Sequence, residues 1–175
     1  MSREPVNPAV THNRPETLKW LWLSGLVIGL DQMTKLWVAA AMRLYESIEI
    51  LPFFQLTYVR NEGAAFSFLS DAGGWQRWFF MTLSIVASVA ICVWLARIPR
   101  GKKWEAAALA LIVGGAVGNL IDRVAYGYVI DFLDVYYRTW HWPAFNVADS
   151  AITVGVCMLL IDGLRKQGQA PLSDR

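Results

Sequence analysis

Apolar residues gather into four long runs along the chain, separated by polar segments. The first covers about residues 18–41 and is interrupted by Asp31, Gln32 and Lys35; the others cover about 75–96, 104–121 and 144–164. At about 1.5 Å per residue each run can cross the roughly 30 Å hydrocarbon core of a bilayer. The pattern predicts an all-α polytopic membrane protein, a single four-helix membrane domain over 18–164. Residues 1–17 are polar and hold three Pro, which predicts a disordered tail, and 165–175 form a second polar tail. Ala39-Ala40-Ala41 looks like a signal-peptide cleavage site. Asp31 and Lys35 break the apolar stretch such a peptide needs, however, and three more spans follow.

Between the first two runs the pattern changes period. Residues 44–70 are rich in Ile, Phe, Tyr, Thr and Val around a polar break, Arg60-Asn61-Glu62-Gly63. That composition predicts a small extracytoplasmic β element that turns at Asn61 and Gly63, with Trp75 and Trp78 as interfacial anchors. Residues 122–143 form the other outer connection.

Charge sets the orientation. The loop after the second run holds Arg97, Arg100, Lys102 and Lys103 with no acid, and the tails carry Arg3, Arg14, Lys19, Arg165 and Lys166, so both termini and this loop are expected in the cytoplasm. The composition agrees with a membrane protein: 55% hydrophobic and 17% charged, against about 25% charged in soluble domains. A net charge of +2 in short clusters recommends no nucleic-acid surface, and two Cys make neither a disulfide framework nor a zinc site.

With this orientation the intramembrane polar residues collect near the outer face. Asp31 lies about 20 Å along the first helix, and Asn119 and Asp122 about 22 and 27 Å along the third. Asn146, Asp149, Ser150 and Thr153 follow i, i+3, i+4, i+7 as one polar stripe opening the fourth. Asp31 and Lys35 are four apart, the spacing of a helical ion pair. Ionised groups cost too much on a lipid-facing surface to be left there, so these stripes are expected to face one another. Gly114 and Gly118 allow close helix packing.

The possible chemistry is narrow. His12 sits in the tail and His141 between Trp140 and Trp142, where an interfacial role suits it; neither has a nucleophile elbow to serve, and HExxH is absent. Cys92 and Cys157 lie away from the polar cluster. Carboxylates remain. If the outer connection folds back, Asp131 and Asp149 can meet at the membrane boundary as a pair sharing one proton, with Asp134 an equal competitor for Asp131.

Five motifs bear on that choice: Asp31-Gln32-Met33-Thr34-Lys35, Asn61-Glu62-Gly63-Ala64-Ala65-Phe66, Gly114 to Arg123, Val129-Ile130-Asp131-Phe132 and Phe145-Asn146-Val147-Ala148-Asp149. Together, and in this order, they resemble bacterial lipoprotein signal peptidase, signal peptidase II. The resemblance implies an aspartic endopeptidase of the inner membrane, its site near the outer face, that removes signal peptides from prolipoproteins before a diacylglyceryl-modified Cys. It implies Asp131 and Asp149 as the catalytic pair rather than Asp134. Asn119, Arg123, Asn146, Asp31 and Lys35 would support the site, and Asn61 and Gly63 would shape the substrate cleft. Glu62 departs from the smaller polar residue of many relatives. The partners implied are lipidated prolipoproteins and membrane lipid, with no metal or organic cofactor. A small proton-coupled transporter or channel subunit is the alternative; it would spread its acids over both leaflets.

The orientation can be tested with Cys reporters. A reporter at Gly101 should be shielded from an impermeant outer reagent while one at Asp71 is labelled; the reverse pattern would invert the depth assignments.

Overall fold

A computed structural model of the chain describes residues 16–63 and 74–167. Most of both expected tails, and residues 64–70 of the expected β element, lie outside the described residues. A 3-10 turn, Glu16–Trp20, leads into α1 (Leu21–Ala41); strands β1 (Ser47–Leu51) and β2 (Phe54–Asn61) follow, then α2 (Trp75–Arg97), α3 (Lys103–Ala125), β3 (Val129–Tyr137), β4 (Trp140–His141) and α4 (Val147–Gln167).

α2, α3 and α4 are long and apolar enough to cross a membrane. α1 has 21 residues but, with Asp31, Gln32 and Lys35 in its middle, is not among these three. Its buried positions, Ser24, Val27, Asp31, Lys35 and Val38, form one stripe at helical spacing. The opposite face exposes Trp22, Leu26, Leu30, Met33 and Trp37, as suits lipid. α3 is the central helix, with twelve buried residues, and glycine lets its neighbours in. A Cβ on Gly115 would stand 2.3 Å from the Ala148 carbonyl oxygen, and one on Gly118 would stand 2.7 Å from Asp31 Oδ2. Apolar clusters close both ends. Leu95, Ile98, Ala106 and Leu109 join α2 to α3 at one end; Val38, Met42, Tyr58, Ile130 and Phe132 seat the sheet on α1 at the other.

The architecture is therefore helices plus a four-stranded antiparallel sheet in the order β1-β2-β3-β4. The expected fold lacked half of that sheet. β3 comes from the second outer connection, where the β-branched and aromatic run Val129–Tyr137 pairs with β2, Asn61 opposite Val129 and Val59 opposite Asp131. The hairpin between β1 and β2 turns at Pro52 and Phe53, not at Asn61 and Gly63; the polar break instead ends β2. α3 continues four residues beyond the expected 121 and ends before Gly127 (φ +87°), so Asp122 and Arg123 are helical. α4 starts three residues later than expected, because Asn146 stands outside it as its N-cap.

Candidate active site

The site grows from one buried cation. Lys35 is 1% exposed, and its Nζ lies 2.8 Å from Asp31 Oδ2 and 3.0 Å from Asp122 Oδ2 while donating to Asn119 Oδ1 at 2.9 Å. Both carboxylates then reach a further element. Asp31 Oδ1 accepts the Ala148 N–H in the first turn of α4 (2.9 Å), and Asp122 Oδ2 accepts the Ile130 N–H of β3 (3.0 Å). Gln32 bridges the cluster from outside, donating to Asp122 Oδ1 at 2.8 Å and to the Gly118 carbonyl at 3.2 Å. An ammonium with two carboxylates and an amide oxygen thus ties α1, α3, α4 and β3 together at buried positions.

This arrangement fixes which way two asparagines point. The Asn119 carbonyl is held by the ammonium, so its NH2 turns outward and donates to Asp149 Oδ1 at 2.7 Å. Asn146 caps α4 by accepting the Asp149 N–H on Oδ1 (2.9 Å), the bond an N-cap residue makes to the third helical position. Its NH2 donates to Asp131 Oδ1 at 2.6 Å, with Asn119 Oδ1 and the Ile130 carbonyl at 3.2 and 3.3 Å. Asn61, at the end of β2, donates to the other Asp131 oxygen at 2.8 Å. Asn61 Oδ1 accepts the Gly63 N–H (3.0 Å), the Gly63 carbonyl accepts from Arg123 Nη2 (3.0 Å), and the Arg123 guanidinium lies over the Phe80 ring.

Asp131 and Asp149 line one cavity of about 590 Å³ together with Asn61, Asn119 and Arg123. Asp131 is 2% exposed, and burial, reinforced by the nearby Asp149 charge, raises its pKa to about 7 despite the donors Asn61 and Asn146. The nine positions singled out from sequence all fall in this one network. Asp134 falls elsewhere: it lines a neighbouring cleft of about 470 Å³, accepting from Gln55 Nε2 at 2.6 Å and lying 3.0 Å from His141 Nδ1. His141, read as an interfacial residue, thus also has a carboxylate partner. Sequence reading placed Asp122 in the converging polar cluster but not among the site residues, and it assigned Gln32 no role although Gln32 lies inside a quoted motif.

Residues 23–165 match the family described as Signal peptidase (SPase) II. The chain belongs to the signal peptidase II family. It is 56% identical over 149 residues to a protein of Alteromonas mediterranea named lipoprotein signal peptidase, covering 85% of this chain and 82% of that one. A protein of the same name from Vibrio cholerae is 51% identical over 156 residues, covering 88% and 91%. Two solved bacterial membrane enzymes, determined by the in meso method, share the fold. One has a TM-score of 0.81 at 30% identity, covering 94% of this chain and 99% of the other; the second has 0.74 at 32%, covering 88% and 97%. The chain is thus a membrane peptidase, and the carboxylate cavity is the natural place to look for its chemistry.

Removing one carboxylate from Lys35 strands a charge, at a cost of about 3–5 kcal/mol for a buried pair. Asp31→Ala also strips an acceptor from the first turn of α4. Its folded yield in detergent should fall at least as much as its specific activity. A variant that accumulates and melts like the parent yet is inactive would place Asp31 in the catalytic apparatus instead.

Proposed function

We propose that this chain is an intramembrane aspartic endopeptidase that cleaves the signal peptide from diacylglyceryl-modified prolipoproteins, before the lipidated Cys. The observation that carries the reading is the pair of carboxylates from different elements, Asp131 on β3 and Asp149 on α4, lining one cavity with an asparagine donor on each. Peptide hydrolysis by such a pair needs one ionised carboxylate to take a proton from water and one neutral carboxyl to polarise the scissile carbonyl and protonate the leaving nitrogen. Burial and the neighbouring charge favour a single shared proton, because two carboxylates in one dry site do not ionise independently.

The cavity suits a lipid-bearing substrate. Besides the polar groups it is lined by Phe145, Ile152 and Val154, and Val154 is 51% exposed on the outer face of α4. A diacylglyceryl group can lie in the bilayer along α4 while the peptide bond beside it reaches the carboxylates. In this reading α1 crosses the bacterial inner membrane with α2, α3 and α4, both termini are cytoplasmic, and the sheet rests at the periplasmic face, where β2 and β3 border the extended peptide. Asn119, Asn146, Asp31 and Lys35 position the pair, Arg123 and Gly63 hold the rim, and Asn61 holds Asp131 and the cleft edge. A transporter relaying protons would need acids along the whole bundle. Asp162, towards the opposite end of α4, is instead paired with Lys166.

Asn keeps the size of Asp but cannot exchange its proton. Asp131→Asn and Asp149→Asn should each lower turnover of a diacylglyceryl prolipoprotein by at least about a thousandfold, the double variant being little worse than either. Folding and substrate binding should persist, and Asp134→Asn should stay active. The parent's pH profile should be bell-shaped, its alkaline limb falling as the shared proton is lost around pH 7. Substantial turnover by either single variant would rule out the pair.

A further inference from the structure

At the end of the bundle remote from the carboxylates, the 3-10 turn before α1 and the loop from α2 to α3 enclose a cleft of about 160 Å³. Lys103 opens α3 there, while Asp122 lies near its other end, about 28 Å away at 1.5 Å per residue. Four cations line the cleft, Lys19, Arg100, Lys102 and Lys103, with no acid among the described residues that line it. Glu105, the acid of that helical turn, faces Lys166 at 3.7 Å.

Two further features are independent of the charge. No side chain caps the N-terminus of α3, whose first N–H, on Lys103, donates to the Gly101 carbonyl at 2.8 Å, and the positive end of this 23-residue helix meets the cleft. Thr17 also lines the cleft and is 5% exposed; its hydroxyl is buried with no hydrogen-bond partner among the described residues. A buried hydroxyl left without a partner is costly, and one set among cations at a helix N-terminus is complemented by an anion that can accept from it.

We infer that this cleft binds a phosphate group, and that its occupant is the phosphodiester of an anionic membrane lipid. The volume admits a phosphate with part of a glycerol but no nucleotide. The cleft lies where three apolar helices begin or end, and Trp20 on its wall suits the headgroup layer. At that depth the abundant anions are lipid headgroups, and basic pockets between helix ends are where they are held.

The test uses the full chain in nanodiscs of phosphatidylcholine with phosphatidylglycerol titrated in, the retained lipid being counted by native mass spectrometry after release into detergent. A parallel melt in detergent, with and without inorganic phosphate, separates a free anion from a lipid. The parent should retain phosphatidylglycerol in preference to phosphatidylcholine. Thr17→Val should bind it about tenfold more weakly, having lost a charge-assisted hydrogen bond. Lys102→Gln and Lys103→Gln should each weaken it about fivefold. Thr17→Ser, which keeps the hydroxyl, and Arg97→Gln, an exposed cation at the same end but not on the cleft, should match the parent. Stabilisation by inorganic phosphate that Thr17→Val abolishes, without lipid preference, would keep the phosphate site but overturn the lipid as its occupant. Equal behaviour of Thr17→Val and the parent in both arms, or losses in Arg97→Gln as large as in Lys102→Gln, would overturn the site itself.

Discussion

The structure depends on a single ammonium group held out of water. Lys35 has two carboxylates and an amide oxygen around it, and the carboxylates reach on to backbone N–H groups of α4 and β3. Such a cluster need not stabilise the fold more than apolar side chains of the same volume would. What it does is specify: these polar groups are all partnered only in one arrangement, so the two outer helices and the sheet dock on α3 in one register. The glycines of α3 are part of the same constraint, since the Asp31 carboxylate occupies the space that a side chain at residue 118 would need.

From that cation the order passes outward to the proposed chemistry. Asn119 and Asn146 each have a carbonyl committed to a fixed donor, the ammonium in one case and the Asp149 N–H in the other, which leaves each NH2 for one of the two carboxylates. Asparagine serves here because it is neutral, two-faced and short. A charged donor in its place would hold both carboxylates ionised. The amides leave burial and mutual repulsion strong enough to keep Asp131 near the middle of the pH range.

Much of this was readable from the chain. The helices announced themselves as apolar runs, and the polar residues within them fell at helical spacing and similar depth, so their meeting followed from the cost of charge in lipid. What escaped had physical reasons. β3 carries a clear β-forming composition, but its strand character emerges only when β2 is there to pair with it, and two carboxylates within it look like loop residues until their partners are known. Asn146 continued a helical stripe in sequence yet stands outside the helix, because an asparagine that caps and one that begins a polar face share the same spacing. Asp122 looked like the end of a span because its charge is neutralised by a lysine 87 positions earlier in the chain. Choosing Asp131 over Asp134 was beyond spacing altogether. Resemblance made that choice, and the geometry adds that Asp134 belongs to a different cleft, beside His141.

The central claim is that Asp131 and Asp149 share one proton, and the most direct measurement is the titration of the Asp131 carboxyl itself. Protein carrying 13C-labelled aspartate, with the Asp131 signal assigned by its loss in Asp131→Asn, can be followed through pH by the carboxyl stretch or chemical shift. Asp131 should titrate near pH 7 and move clearly lower in Asp149→Asn, where the neighbouring charge is gone. An Asp131 that titrates in the ordinary carboxylate range, about 4, and is indifferent to the substitution at Asp149 would contradict the shared proton and with it the proposed mechanism.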